Sequence, residues 1–200
     1  MEERAEEFNR LLDEAAAFHG HLCAGQVIGV RMAMAGLEAI GIRAPRGEDR
    51  KKLIVFVEID RCATDAIMTV TGCRPGKRSM QLRDYGKMAA TFVNLETGRA
   101  VRVTSQEDSR RKAAAWFPDI ADESKAQLEA YRVMPDSELF DMEEVVVTLR
   151  PEDLPGKPLR RVVCQVCGEP VMDMREVFDS GRVLCRPCSD GKNYYTFPVA

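Results

Sequence analysis

The chain has 200 residues, a formal net charge of -3, and 45% hydrophobic against 30% charged residues. That balance suits one medium domain with a buried core, or one domain with a small appendage, and the slight acidic excess argues against a general nucleic-acid binder. Seven cysteines are an odd number, and four of them form two C-x-x-C pairs, which reads as metal binding rather than a secreted disulfide scaffold.

The N-terminal MEERAEEFNRLLDEAAAFHG is acidic where a signal peptide would be basic and then apolar. Ala5, Phe8, Leu11, Leu12, Ala15 and Phe18 recur at helical spacing over residues 2–18, and Gly20 is placed to end that helix in a left-handed conformation. A second helix is predicted from about Gly25 to Ile40; it is apolar nearly all round and therefore buried. Gly25, Gly29 and Ala33 fall at every fourth position, a smooth stripe on which another backbone can approach closely. The longest apolar stretch, Gln26 to Ile42, is broken by Arg31 and Glu38 and is too short to span a bilayer. The expectation is a reduced, soluble, cytoplasmic protein with no membrane partner.

Leu53 to Ile59 (LIVFVEI) reads as a strand, followed by a Cys-containing turn and a short helix near Ala63 to Val70. The Gly-rich, basic TGCRPGKRSMQLRDYGK reads as an ordered loop. Met88 to Leu95 and Ala100 to Thr104 form a hairpin around Glu96-Thr97-Gly98. Amphipathic helices near 107–116 and 121–132 precede a strand at Glu143 to Leu149. Strands and helices do not alternate regularly, so the first domain, residues 1–150, is expected to be α+β with an antiparallel or mixed sheet. PEDLPGKP, with three prolines and a glycine, marks a linker over 151–159 ahead of a small domain at 160–200.

Cys164-x2-Cys167 and Cys185-x2-Cys188 are separated by seventeen residues, the spacing of zinc ribbons and related fingers. Two residues between cysteines let both thiolates turn toward one ion, and the second pair completes the tetrahedron that zinc accepts. Gly168 suits the tight knuckle. Some forty residues are too few to rely on a core of their own, so the metal must supply much of the folding energy. Four sulfurs leave no position for substrate, so this zinc is structural. In residues 160–200, Arg160, Arg161, Arg175, Arg182, Arg186 and Lys192 are nearly balanced by Glu169, Asp173, Glu176, Asp179 and Asp190. A protein contact is favoured over nucleic acid.

Only two histidines occur, and they flank one glycine in FHGHLCAG, residues 18–25. Imidazole and thiolate together are natural ligands for zinc, nickel, copper or iron, and the start of the second helix favours a thiolate at Cys23. This predicts a second transition-metal site, with zinc as its expected ion. His21 and Cys23 are the expected ligands and Cys62, just past the predicted strand, is the third. His19 is the rival imidazole, able instead to contact the end of its helix, and Cys73 is a reserve thiolate. Cys62 and Cys73 can each equally be a buried inert thiol. Arg74, Lys77, Arg78, Arg83 and Lys87, beside Gly76 and Gly86, form a basic loop that could hold a phosphate or carboxylate or simply be solvated.

The FHGHLCAG turn, the D-x-C-x-x-D-A stretch at Asp60, Cys62, Asp65 and Ala66, the TGC…GK from Thr71 to Lys77, and Asp84-Tyr85-Gly86-Lys87 together resemble the family of the formylmethanofuran dehydrogenase E-subunit. The four-cysteine tail also occurs in many of its members. Ala24 stands where that family usually has proline. The resemblance implies an α+β core followed by a zinc finger, a homodimer, and a metal site built from the HGH-x-C turn. It also implies an association with molybdenum or tungsten pterin enzymes that interconvert carbon dioxide and formylmethanofuran. The chain has neither room for a bis-pterin fold nor an iron–sulfur cysteine run, so catalysis by this chain alone is not implied. The expected role is an accessory metalloprotein of such oxidoreductase systems, with their subunits as partners. The alternatives are an independent metalloenzyme with an open metal position, using Glu58, Asp60 or Asp65 as acid or base, or a zinc-ribbon adaptor for protein partners.

Overall fold

Helix α1 (Glu2–His19) runs into a turn at Gly20, whose φ of 95° is open to glycine at little cost. Helix α2 (Ala24–Ala39) follows at once. The computed structural model describes residues 2–196 and 198. The chain divides into two compact units, Met1–Thr148 and Leu149–Ala200.

In the first unit α2 is buried on nearly every face, from Val27 and Ile28 to Gly36 and Leu37. The small-residue stripe explains how it packs. A Cβ on Gly29 would lie 2.5 Å from the Ala63 carbonyl oxygen and 2.7 Å from the Ala66 Cβ, and one on Gly36 would lie 2.2 Å from the Phe92 ring. The two glycines therefore let helix α3 (Cys62–Thr71) approach at one end and the sheet at the other. Arg31, the charge inside this apolar helix, donates to the Tyr131 carbonyl at 2.9 Å, to the Met134 carbonyl and to Asp136 at 2.6 Å. It thereby ties α2 to the end of helix α5 (Glu123–Val133) and the short α6 (Asp136–Leu139).

The sheet contains β1 (Leu53–Val57), β2 (Met80–Leu82), β3 (Ala89–Asn94), β4 (Ala100–Ser105) and β5 (Phe140–Glu144), in the order β2-β1-β3-β4-β5. It is mixed: β2 runs parallel to β1, and the other neighbours are antiparallel. β1 and β3 are buried along their whole length, so they read as continuous apolar runs rather than alternating ones. Leu53, Val55, Val57, Ala90, Phe92, Val101 and Val103 share one core with α1, α2 and α3.

Two elements differ from expectation. The basic segment predicted as a loop contains β2, because Met80 and Leu82 find a parallel partner in β1, a non-local contact that its turn-rich composition does not announce. The strand predicted over Glu143 to Leu149 lies earlier, at Phe140–Glu144, and residues 145–150 take no regular structure. Its β-branched residues suit a strand, but the pairing with β4, Ser105 opposite Phe140 to Val101 opposite Glu144, sets the register. Helix α4 (Asp108–Trp116) lies between β4 and α5. Among the described residues no helix is long and apolar enough to cross a membrane.

The second unit holds two small antiparallel hairpins, β6 (Arg161–Val163) with β7 (Pro170–Met172) and β8 (Val177–Asp179) with β9 (Arg182–Leu184), and the short helix α7 (Arg186–Asp190). Among its described residues Cys164 and Leu184 are the only buried apolar side chains.

Candidate metal centres

In the second unit, Cys164 leaves β6 and Cys167 closes the turn behind it. The Gly168 amide donates to the Cys164 carbonyl at 2.9 Å, with Gly168 at φ 75°. Cys185 caps α7, and Cys188 stands one turn into it. The Gln165 amide donates to the Val183 carbonyl at 2.9 Å, and the Val183 amide donates back to Gln165 Oε1 at 2.9 Å, so each knuckle orients the other. All four sulfurs lie within 4.8 Å of one another. Cys167 and Cys185 are 3.9 Å apart, near the edge of a tetrahedron with bonds of ~2.3 Å.

The crowd of thiols is electrically uneven. Amides of Cys167 and Cys185 donate to the Cys164 sulfur and bring its pKa down to about 6, whereas hydrogen bonding with the Cys185 sulfur and burial push Cys188 up to about 12. A cation relieves this conflict by letting all four ionise. The donor set fits tetrahedral zinc.

The second candidate lies in the first unit, where His19, Cys23 and Cys62 bring ligand atoms within 4.8 Å of one another. His19 is the last residue of α1, Cys23 the N-cap of α2 and Cys62 the first residue of α3, so both thiols stand at helix N-termini. Gly25 makes the approach possible. A Cβ there would lie 2.9 Å from the Cys62 Cβ and 3.7 Å from each sulfur. Burial, and then the neighbouring Cys23 thiol, push the Cys62 thiol above its ordinary pKa.

His19 carries the decisive detail. Its Nδ1–H donates to Asp65 at 2.8 Å, and its Nε2 is buried with no protein partner. The carboxylate fixes the tautomer and aims a lone pair, the arrangement that orients metal-binding histidines. Asp65 sits three residues beyond Cys62, so the two share the first turn of α3. That spacing in D-x-C-x-x-D-A was the signal in the sequence for this partner.

The other candidates lie elsewhere. His21 is exposed, its ring 4.7 Å from the His19 ring, and it does not join the group. Its place in the turn put it beside Cys23 in sequence, but Gly20 turns the chain so that the helix-end histidine faces the thiols. Cys73 is also outside the group. It is buried after α3, its amide bonded to Thr71 and its thiol raised in pKa by burial. Glu58 is held in a two-pronged ion pair by Arg102 at 2.7 and 2.8 Å, which removes it as a free acid or base. In the basic loop, Arg74 lies over Phe18 at 5.8 Å, and Arg83 lies over Phe56 at 5.2 Å and bonds Gln81.

Comparison with known proteins places this geometry. The family model described as FmdE, molybdenum formylmethanofuran dehydrogenase operon, matches residues 18–141. The chain belongs to the FmdE family. Residues 157–194 match the prokaryotic dksA/traR C4-type zinc finger, and with the four-cysteine cluster this makes the chain a metal-binding protein with a structural zinc site. A solved tungsten formylmethanofuran dehydrogenase E-subunit (FmdE)-like protein from Syntrophus aciditrophicus shares its fold. The TM-score is 0.61 at 22% identity, over 94% of this chain and 95% of that one. A probable S-adenosyl-L-methionine-binding protein of Archaeoglobus fulgidus is 37% identical over 107 residues, which are 52% of this chain and 28% of that protein.

Proposed function

We propose that this FmdE-family chain carries a second transition metal, zinc by its donor set, on His19 Nε2, Cys23 and Cys62, and that it serves as an accessory metalloprotein of molybdenum or tungsten oxidoreductase systems. The observation that carries the metal reading is the buried, unpartnered His19 Nε2 beside two thiols, with Asp65 holding the opposite nitrogen. A buried polar atom without a partner costs about 1–3 kcal/mol; a bound cation removes that cost. One nitrogen and two sulfurs leave a coordination position for a small donor from solvent or a cofactor. His21, at the exposed edge of the same turn, is placed to meet what enters there.

Support for the accessory role comes from the description of the family and from the name of the solved neighbour. In the rival reading, an independent metalloenzyme, the acids nearest the site would have to act. Glu58 is paired with Arg102 and Asp65 with His19, so that reading would have to rest on exposed Asp60. The archaeal relative's name carries one further expectation, S-adenosylmethionine binding. This chain spans 28% of that protein's length, and equilibrium dialysis against the labelled compound tests it. A homodimer is proposed too, and light scattering that gives a monomer at micromolar concentration overturns it.

The deciding experiment is metal analysis of the full chain purified without added metal. Two ions per chain are expected, falling to one in Cys23→Ala and in Cys62→Ala; one ion in all three proteins defeats the second centre. Copurification of a molybdenum or tungsten oxidoreductase upholds the accessory role, and turnover by the isolated chain overturns it in favour of the enzyme.

A further inference from the structure

Gln26 is a polar side chain in the first turn of an apolar helix, and it is 0% exposed. It is the third residue of α2, after the N-cap Cys23. A glutamine at that position commonly folds back onto the amide of the capping residue. Here its Nε2 instead crosses to the neighbouring helix and donates to the Cys62 carbonyl at 2.6 Å. Its Oε1 is buried and has no partner. A buried acceptor without a donor opposes folding, so stability alone does not account for a glutamine here; an apolar side chain of the same length would fill the space without that penalty.

The bond falls at a telling place. Cys62 reaches the site from a separate segment, whereas His19 and Cys23 share one turn. On one side Cys62 meets Gly25, where an added Cβ would come within 2.9 Å of its own Cβ. On the other its carbonyl is gripped by Gln26.

We propose that Gln26 is a positioning residue of the core metal centre: by holding the Cys62 carbonyl, its amide fixes the first turn of α3 so that the Cys62 sulfur stays in ligating range of Cys23 and His19. The proposal rests on the two-metal reading above. A ligand whose backbone is already fixed loses less freedom when the ion binds, so the tether tightens binding without touching the metal.

Two variants of the full chain test this. Gln26→Glu keeps the shape and removes the N–H donor; Gln26→Met removes both donor and orphaned acceptor at similar volume. Zinc affinity is read by chelator competition, and cobalt(II) substitution reports the thiolate-to-metal charge-transfer band. Both variants should keep the first, tight ion and bind the second ~10–100-fold more weakly, with a weaker charge-transfer band for that second equivalent. Metal-free Gln26→Met should melt no lower than the parent. Unchanged affinity for the second ion in Gln26→Met overturns the proposal, as does a weaker second site accompanied by a lower melting point of metal-free Gln26→Met, which would mark a packing role. A parent protein that binds one ion only defeats the two-metal reading itself, a result distinct from two ions bound equally well by parent and variants.

Discussion

In Met1–Thr148, Phe92, Leu12, Met32, Ile40, Leu53 and Ile54 are among many side chains sealed from water, whereas in the described part of Leu149–Ala200 only Cys164 and Leu184 are buried apolar groups. Each fully buried large apolar side chain contributes ~1.5–3 kcal/mol, so the first unit has a core to hold it and the second does not. Both nonetheless gather cysteines at helix starts and turns. The same ligand chemistry therefore has opposite standing in the two units. In the second the metal makes the fold; in the first the fold brings the His19, Cys23 and Cys62 donors together.

The largest expected effect tests the first half of that contrast. Cys164→Ser or Cys185→Ser should release one zinc and unfold residues 160–190, since structural zinc contributes ~10–16 kcal/mol in small fingers. Far-ultraviolet circular dichroism, limited proteolysis and metal analysis should show this with residues 1–148 still protected; full zinc content in both variants would break the comparison.

Phe92→Ala, in the first unit, should cost ~3–5 kcal/mol, the penalty of an unfilled core cavity, because its ring is 0% exposed and packs against Gly36. Denaturant unfolding should lose this stability while the second unit's zinc stays bound through the variant's lower transition.

Acid should loosen the second unit's zinc steeply. In the metal-free cluster Cys188 is raised to about 12 and Cys167 is also raised, so both are protonated at neutral pH and must lose protons as zinc binds. Protons therefore compete with the ion. Affinity should fall at least ~100-fold per pH unit below neutrality, because these two thiols alone release two protons per zinc, and more steeply below about 6, where Cys164 takes up another. Chelator competition from pH ~8 to ~5.5 measures the slope, and a flat profile would contradict the four-thiolate site.

The smallest effect concerns the first unit. Asp65→Asn replaces the carboxylate that accepts from His19 Nδ1 with an amide, and should weaken the second metal ~10–100-fold while leaving the melting point nearly unchanged. Equal affinity in parent and variant would remove Asp65 from the site.

The four-cysteine module was legible in the chain because its chemistry is local: two residues between thiols allow both to reach one ion, and no distant contact is needed to bring each pair together. The apolar, all-round pattern of α2 and its stripe at Gly25 and Gly29 were legible for the same reason, since helical periodicity follows from backbone geometry. The irregular order of strands and helices was enough for an α+β core, and FHGHLCAG pointed to the turn where the second group of donors gathers. Tertiary structure decided the rest. β2 needed a distant parallel partner, and the last strand of the first unit took its register from β4. The choice between two histidines depended on Asp65, forty-six residues from His19, and on a glycine turn that leaves His21 at the exposed edge. Cys62 joined and Cys73 did not, because α2 and α3 touch at Gly25 and Gly29, beside the first turn of α3 and far from its end. Sequence spacing sets which donors can share an ion within one turn, but only helix packing sets which donors from separate segments arrive at the same point.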